Sequence, residues 1–416
     1  MNSPTRILRL REAIARDVSV ASRYFDRVIV CGEWAGEAAR LFDLIDCPAK
    51  ESVANPEDLP DLRGDGHSCT LVLLDGTAYS EKDLQGLLAR LHPRLGRSSR
   101  VALVDCRGCF RRIEHLVVPA GYEMVRVRPV GHAPFAWLGL GRFLGRAVSR
   151  LPGVRWLCPA RVIWLRPVVP LRQKPSLSVL IPARNERGNI ENALKRLPPL
   201  AGTDVEVLFI EGHSTDGTWE EIRRVAAAYG DRCKIQCLQQ AGVGKCDAVR
   251  LGLARANGEL VVILDADLTV PPEFLEYFYE KYCDGRGDFI NGNRFAMPME
   301  RGAMRPLNYL GNRFFSAALG WVLDVRLGDC LCGTKLFARR DYERFRRWRE
   351  DFGDFDPFGD FELLFPAAVL GLGIVDLPVP YAARSYGSTQ IRRFRDGWRL
   401  LKMTLHGWLR LKGTPT

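Results

Sequence analysis

Two carboxylates, Asp265 and Asp267, stand two residues apart directly after the apolar run 260–264. Five consecutive apolar residues read as a strand buried on both faces, and residues two apart at a strand end project to the same side. Both acids therefore reach one ligand in the crevice beyond the sheet edge. A hard divalent cation held by one or two carboxylates and completed by phosphate oxygens suits this arrangement. Short acidic pairs also cap helices and solvate turns, so the flanking segments decide what this pair means.

Upstream, residues 177–182 read as a second buried strand, with Asn185 and Glu186 just past its end. Residues 205–211 are a third, followed by a small-polar turn in which Asp216 can cap the next helix. That helix carries Trp219, Ile222, Val225, Ala226 and Tyr229 as an apolar stripe, with Glu220 and Glu221 in its first turns. A short strand at 234–238 precedes a glycine loop, a helix, and a stop at Gly258. Strands alternating with helices predict an α/β domain with a largely parallel sheet.

The ordered motifs are Pro182-Ala-Arg-Asn-Glu186, Ile210-Glu-Gly-His-Ser-Thr-Asp-Gly-Thr218, Gly244-Lys245, Asp265-Ala-Asp-Leu-Thr-Val-Pro-Pro-Glu273, Gly328-Asp-Cys-Leu-Cys-Gly-Thr-Lys-Leu-Phe337 and Arg384-Ser-Tyr-Gly-Ser388. Together, from about residue 176 onward, they resemble glycosyltransferase family 2, which has the GT-A fold, and within it the dolichol- or polyprenyl-phosphate sugar transferases. The resemblance implies a nucleoside-diphosphate-sugar donor bound by Pro182, Asn185, Glu186, Glu211, Asp216, Lys245 and Asp265. It also implies Mg²⁺ or Mn²⁺ on Asp267 and Asp265, and an inverting displacement at the sugar. Three positions depart from the family pattern. Glu211 is one methylene longer than the usual Asp, Gly212 replaces the second acid, and Thr269 stands where Gln is frequent.

The acceptor turns on the nucleophile's chemistry. A hydroxyl acceptor needs a carboxylate base, for which Asp329, Asp360 and Glu362 are the candidates, although Asp360 also reads as a helix cap. A lipid phosphate is already an anion and needs cations and hydroxyls, which Arg384, Ser388, Thr389, Arg392 and Arg393 supply in one segment. The lipid phosphate is the favoured expectation, with a hydroxyl of a cell-surface glycan or glycolipid as the alternative. A sugar nucleotidyltransferase is disfavoured because no Gly-rich loop followed by Arg stands at the first strand. A non-catalytic binding module is disfavoured by the intact Asp265 and Asp267.

The first half has its own strand–turn–helix order. A strand near residue 30 enters Gly32-Glu-Trp-Ala-Gly36 and a helix at 37–45, with further strands at 68–76 and 100–105 around a helix at 83–91. It resembles a class I S-adenosylmethionine methyltransferase over residues 20–106. Trp34, however, occupies the middle glycine of the family's binding loop, where backbone must approach the cofactor, so cofactor loss is expected. The expected organisation of the 416 residues is a smaller Rossmann-like α/β domain (1–130), a Gly- and Pro-punctuated linker (131–174) and a GT-A domain (175–416).

A formal charge of +11 suits anionic partners, nucleotide-sugar and membrane surface, and no nucleic-acid motif accompanies it. The twelve cysteines lack paired zinc-ligand spacing and read as reduced thiols. No apolar stretch reaches the roughly 18 residues of a membrane span, and Arg6, Arg9 and Arg11 break any secretory core, so a cytoplasmic protein peripheral at the inner membrane face is expected. Phe394, Trp398, Leu401, Leu405, Trp408 and Leu409 recur at helical spacing among Arg and Lys. Such a helix either docks on the domain or lies in a bilayer interface.

Overall fold

The computed structural model describes residues 4–63, 68–106, 113–130, 160–200, 202–231, 233–353, 359–387 and 393–413. The chain opens with α1 (Pro4–Ser22), β1 (Arg27–Cys31), α2 (Ala38–Phe42), β2 (Ala49–Val53), β3 (Thr70–Asp75) and α3 (Glu81–Leu91). It continues through β4 (Arg100–Cys106), α4 (Glu114–Val117), β5 (Tyr122–Val130) and β6 (Ala160–Pro167). These strands form a six-stranded sheet in the order β2-β1-β3-β4-β6-β5. The first four run parallel, and β6 returns antiparallel between β4 and β5. β3 is buried at every position, as an apolar strand in a sheet covered on both faces must be.

The second sheet has seven strands, in the order β13-β11-β12-β10-β7-β8-β9. Its chain order begins with β7 (Leu177–Ala183), α5 (Ile190–Lys195), β8 (Val205–Glu211), α6 (Thr218–Tyr229), β9 (Lys234–Gln239), α7 (Lys245–Arg255) and β10 (Leu260–Ile263). Next come α8 (Leu275–Cys283), β11 (Phe289–Asn293), α9 (Pro306–Leu323) and β12 (Lys335–Ala338). It closes with α10 (Arg339–Phe352), α11 (Asp360–Val369), β13 (Ile374–Pro378) and α12 (Arg393–Trp408). β10, β7, β8 and β9 are parallel, so their carboxyl ends share one edge, whereas β12 runs antiparallel to both β10 and β11.

Two expectations change. The supposed linker contains β6, a strand buried at almost every position, so the first sheet extends to Pro167. The remaining expected-linker residues 131–159 lie outside the described residues. Gly258 is not a left-handed helix stop: a Cβ there would lie 2.6 Å from the Ser178 nitrogen, so its glycine permits close approach to β7.

The two sheets share one core. Val28, Leu73, Val104 and Trp164 of the first belong to the same buried cluster as Leu180, Ile210 and Ile263 of the second, with Phe345 and Trp348 of α10 and Leu364 of α11 among them. A buried charge cluster reinforces the join. Asp288 of the second unit receives Arg100 Nη2 at 2.7 Å and Arg97 Nε at 3.3 Å, with Arg166 Nη1 at 3.6 Å. Burial opposes its ionisation, but the charges of Arg100, Arg166 and Arg97 overcome that and hold the carboxyl well below its usual range.

Candidate active site at the carboxyl edge of the second sheet

β7 leads by way of β8 to β9 on one side, and β10 then pairs on the other side of β7. The crevice beyond β7 and β10 is therefore the topological switch point, where open α/β sheets bind ligands. Asp265 and Asp267 leave β10 into it in a tight turn, with Leu268 at φ 54° and its N–H donating to the Asp265 carbonyl at 3.1 Å. Thr269, the departure from the family's Gln, has a local task. Its N–H and Oγ1 both donate to Asp267 Oδ1, at 3.1 and 2.9 Å, fixing that carboxylate and leaving Oδ2 directed elsewhere.

Each acid meets a cation from another segment. Lys245, the first residue of α7, places Nζ 2.5 Å from Asp265 Oδ1. Burial works against both charges, yet the pair lowers the Asp265 pKa and raises that of Lys245, with Asp360 adding to the latter. A Cβ on Gly333 would lie 2.2 Å from both Asp265 Oδ2 and Lys245 Nζ, so bare backbone closes over this pair. Arg384 reaches Asp267 Oδ2 at 2.6 Å with Nη2 and Glu186 Oε1 at 2.9 Å with Nη1.

The residues expected on the donor side form a tied network. Asn185, at φ 55°, accepts from the Thr215 N–H at 2.9 Å, and its own N–H donates to Ser214 Oγ at 3.0 Å. Glu211 accepts from the Ser214 N–H and from Gln239 Nε2. Burial raises the Glu186 pKa, against bonds from Asn189 Nδ2 and Arg384. Pro182 sits within β7. Asp216 is more than a helix cap: it accepts from the Thr218 N–H at 3.0 Å, the Arg187 N–H at 3.2 Å and Tyr386 Oη at 3.1 Å, while Gly217 holds the cap position.

Tyr386 reveals an arrangement that the motif spacing did not disclose. The segment around Arg384 lies over residues 186–189, with Ser385 Oγ donating to Asn189 Oδ1 at 3.2 Å and the Tyr386 ring against Gly188, where a Cβ would fall 2.7 Å from Cδ2. Ser388, Thr389 and Arg392 fall outside the described residues, as does the side chain of Arg393, which opens α12.

The carboxylates considered as bases are engaged. Asp329, fully buried, accepts a fork from Arg294 at 2.6 and 2.9 Å, which overcomes burial and lowers its pKa. Asp360 faces Lys335 Nζ at 2.5 Å, and this lysine, in a strand otherwise apolar, is itself fully buried. Glu362 takes Arg250 at 2.6 Å, Cys246 Sγ at 3.0 Å and Arg349. Lys335 and Gly333 were absent from the candidate set; a lysine opening the run Lys335-Leu-Phe-Ala338 was the available signal for the first.

No group of three or more His, Cys, Asp or Glu side chains able to hold a metal occurs among the described residues. A divalent ion here would have Asp267 and Asp265 from the chain and need further oxygens from a ligand or water. In this structure Asp267 Oδ2 is paired with Arg384 Nη2.

Residues 178–345 match the glycosyl transferase family 2 family model. Glycosyltransferase AglD of Haloferax volcanii is 28% identical over 255 residues, which is 60% of this chain and 40% of that protein. The dolichyl-phosphate hexose transferase of the same organism is 28% identical over 221 residues, covering 53% of this chain and 89% of its own. This chain thus spans less than half the length of the first relative. The solved glucosyl-3-phosphoglycerate synthase of Mycobacterium tuberculosis, with Mn²⁺, uridine diphosphate and glucosyl-3-phosphoglycerate, aligns at TM-score 0.41 and 21% identity, over 58% of this chain and 81% of that one.

Proposed function

We propose, from the match of residues 178–345 to the glycosyl transferase family 2 model, that the protein moves a sugar from a nucleoside diphosphate to a lipid phosphate with inversion. The observation that carries this reading is the distribution of charge. Arg384 alone among the described cations of the 382–387 segment bridges the metal-type acid Asp267 and the donor acid Glu186, whereas Asp329, Asp360 and Glu362 are each already bound to Lys or Arg. A general base needs an available lone pair; each of these carboxylates is already engaged by a cation, and Arg294 holds Asp329 below its usual range. An acceptor phosphate needs no base but does need a cation, and Arg384, partly exposed, would trade its bonds to Asp267 and Glu186 for bonds to the phosphate.

The fit of the acids extends to Mg²⁺ or Mn²⁺, which when bound would neutralise the departing diphosphate. The chain's own residues do the rest. Glu186 and Glu211 accept from nucleoside hydroxyls or N–H groups, Lys245 holds Asp265 ionised beside the sugar, and Thr269 keeps Asp267 in one orientation. An acceptor phosphate oxygen forms the new bond to the anomeric carbon as the bond to the diphosphate breaks. The dolichyl-phosphate hexose transferase relative supports a lipid-phosphate acceptor, and the charge of +11 supports our proposal of a peripheral position at the cytoplasmic membrane face.

The first sheet we read as a methyltransferase-like domain without its cofactor, because Trp34 is buried with Nε1 donating to Asp75 Oδ2 at 2.6 Å across the ends of β1 and β3. The test of the main reading is a panel of nucleotide-sugars assayed with Mn²⁺ for transfer to polyprenyl phosphate, to the corresponding polyprenol and to glycans. Product with the phosphate alone supports it. Transfer to polyprenol or glycan without transfer to the phosphate removes it.

A further inference from the structure

Exposed apolar side chains gather on two neighbouring helices. On α9, Leu307, Leu310 and Phe314 are 56%, 64% and 58% exposed, and exposed Ala317 continues the same three-and-four spacing. On α12 and the turn that prolongs it (Leu409–Gly413), Trp398, Leu401, Leu405 and Leu409 repeat that spacing at 59%, 41%, 53% and 46%. The two helices pack against each other.

The stripe on α12 is not its docking face. α12 seats itself through Leu400 and Met403, which join the core, and through Gly407, where a Cβ would fall 2.3 Å from Phe365 Cε1. An ordinary surface helix buries its large apolar stripe and shows polar residues to water. Here four large apolar side chains face outward instead.

The exposed charge on the two helices themselves is positive, although Glu300 and Asp324 flank α9. α9 carries no acid, and Arg301, Arg305 and Arg313 are exposed on it or just before it. α12 and its turn expose Arg395, Lys402 and Arg410, while the single acid, Asp396, is buried 3.7 Å from Arg399. No helix among the described residues is long and apolar enough to cross a membrane, so a surface of this kind lies on a bilayer rather than through one.

We propose that α9 and α12 form one composite docking surface for an anionic lipid bilayer, with both apolar stripes at the acyl boundary and the arginines and lysines among the headgroups. Both helices continue from segments of the site. The chain after Arg294, the partner of Asp329, packs Phe295 edge-on against Tyr309 of α9 at 5.2 Å, and the segment bearing Arg384 leads toward α12. The inference deepens the lipid-phosphate reading, yet its test does not depend on that reading.

The test is co-sedimentation of the full chain, without donor or acceptor, with vesicles of phosphatidylcholine alone or mixed with phosphatidylglycerol. Wild type should bind the mixed vesicles, more weakly as salt rises. Leu310→Glu with Phe314→Glu on α9, and Leu401→Glu with Leu405→Glu on α12, should each cut partitioning by about tenfold or more with circular dichroism and melting unchanged. Three results overturn the proposal. One is an α9 variant that binds like wild type, and another is equal binding to neutral vesicles. The third is a vesicle-free dimer that either pair of substitutions makes monomeric, which would make the face a contact between copies. Transfer to a short, water-soluble polyprenyl phosphate separates the two readings. Its loss in wild type would sink the acceptor assignment and leave the vesicle result standing, whereas its retention in variants that no longer bind vesicles supports both.

Discussion

Each sheet has a crevice where the chain changes direction, and the two crevices hold opposite chemistry. In the first, β1 pairs with β2 on one side and β3 on the other, and Trp34 sits beyond their ends with its indole N–H on Asp75. In the second, β7 and β10 flank the opening, and the corresponding space holds Asp265 and Asp267 with Lys245 and Arg384. In the first crevice a buried indole takes up the Asp75 carboxylate. Ion pairs of partly exposed side chains can exchange a cation partner for a bound metal or phosphate at modest cost. The same topology therefore yields a packed strut in one half and a candidate binding site in the other.

Removing a carboxylate from the second crevice should produce the largest effect. Asp267→Ala should abolish transfer and metal-dependent nucleotide binding while leaving the melting temperature near wild type; full activity in chelator would contradict the site. In the first crevice the same kind of surgery should instead harm folding. Trp34→Ala should cost about 3–5 kcal/mol of stability, read by urea denaturation, with donor binding retained in the folded fraction. Calorimetry should detect no S-adenosylmethionine binding to wild type, and a micromolar dissociation constant, about −8 kcal/mol, would show that the crevice is not closed.

The join between the halves sets a smaller, pH-graded expectation. The Asp288 carboxyl is held below its ordinary range, so its stabilisation is complete above the unfolded value near about 4 and is lost as pH falls below it. Asp288→Asn should lower stability by a constant amount from about pH 5 to 8, up to about 3–5 kcal/mol, and the gap to wild type should narrow on acidification. A gap that widens in acid would contradict the assigned ion cluster.

What the sequence disclosed follows the range of the interactions involved. Residues 260–264 announce a buried strand by composition, and Asp265 and Asp267 follow by periodicity alone. β6 escaped notice because Arg161 and Arg166 make it look polar. Their partners are Asp105 on the adjacent strand β4, and Glu123 and Asp288, distant in sequence or in the other sheet. β2 reads Ala-Lys-Glu-Ser-Val and is mostly exposed at the sheet edge, so it has no apolar pattern to detect. Within the site, residue types were legible but pairings were not. Asp329 and Asp360 look like bases until Arg294 and Lys335 arrive from other elements, and Arg384 reaches Asp267 only through the fold.

The most direct test measures donor binding and transfer separately in Arg384→Ala, Asp329→Asn and Asp360→Asn. A charge-assisted contact worth about 1.5–3 kcal/mol predicts that Arg384→Ala cuts transfer by roughly ten- to a hundredfold, chiefly through acceptor affinity, with donor binding near normal. The two Asn variants, once folded, should lose less. An active Arg384→Ala enzyme beside an indispensable carboxylate, whose removal takes the acidic limb from the pH–rate profile, would contradict a lipid-phosphate acceptor.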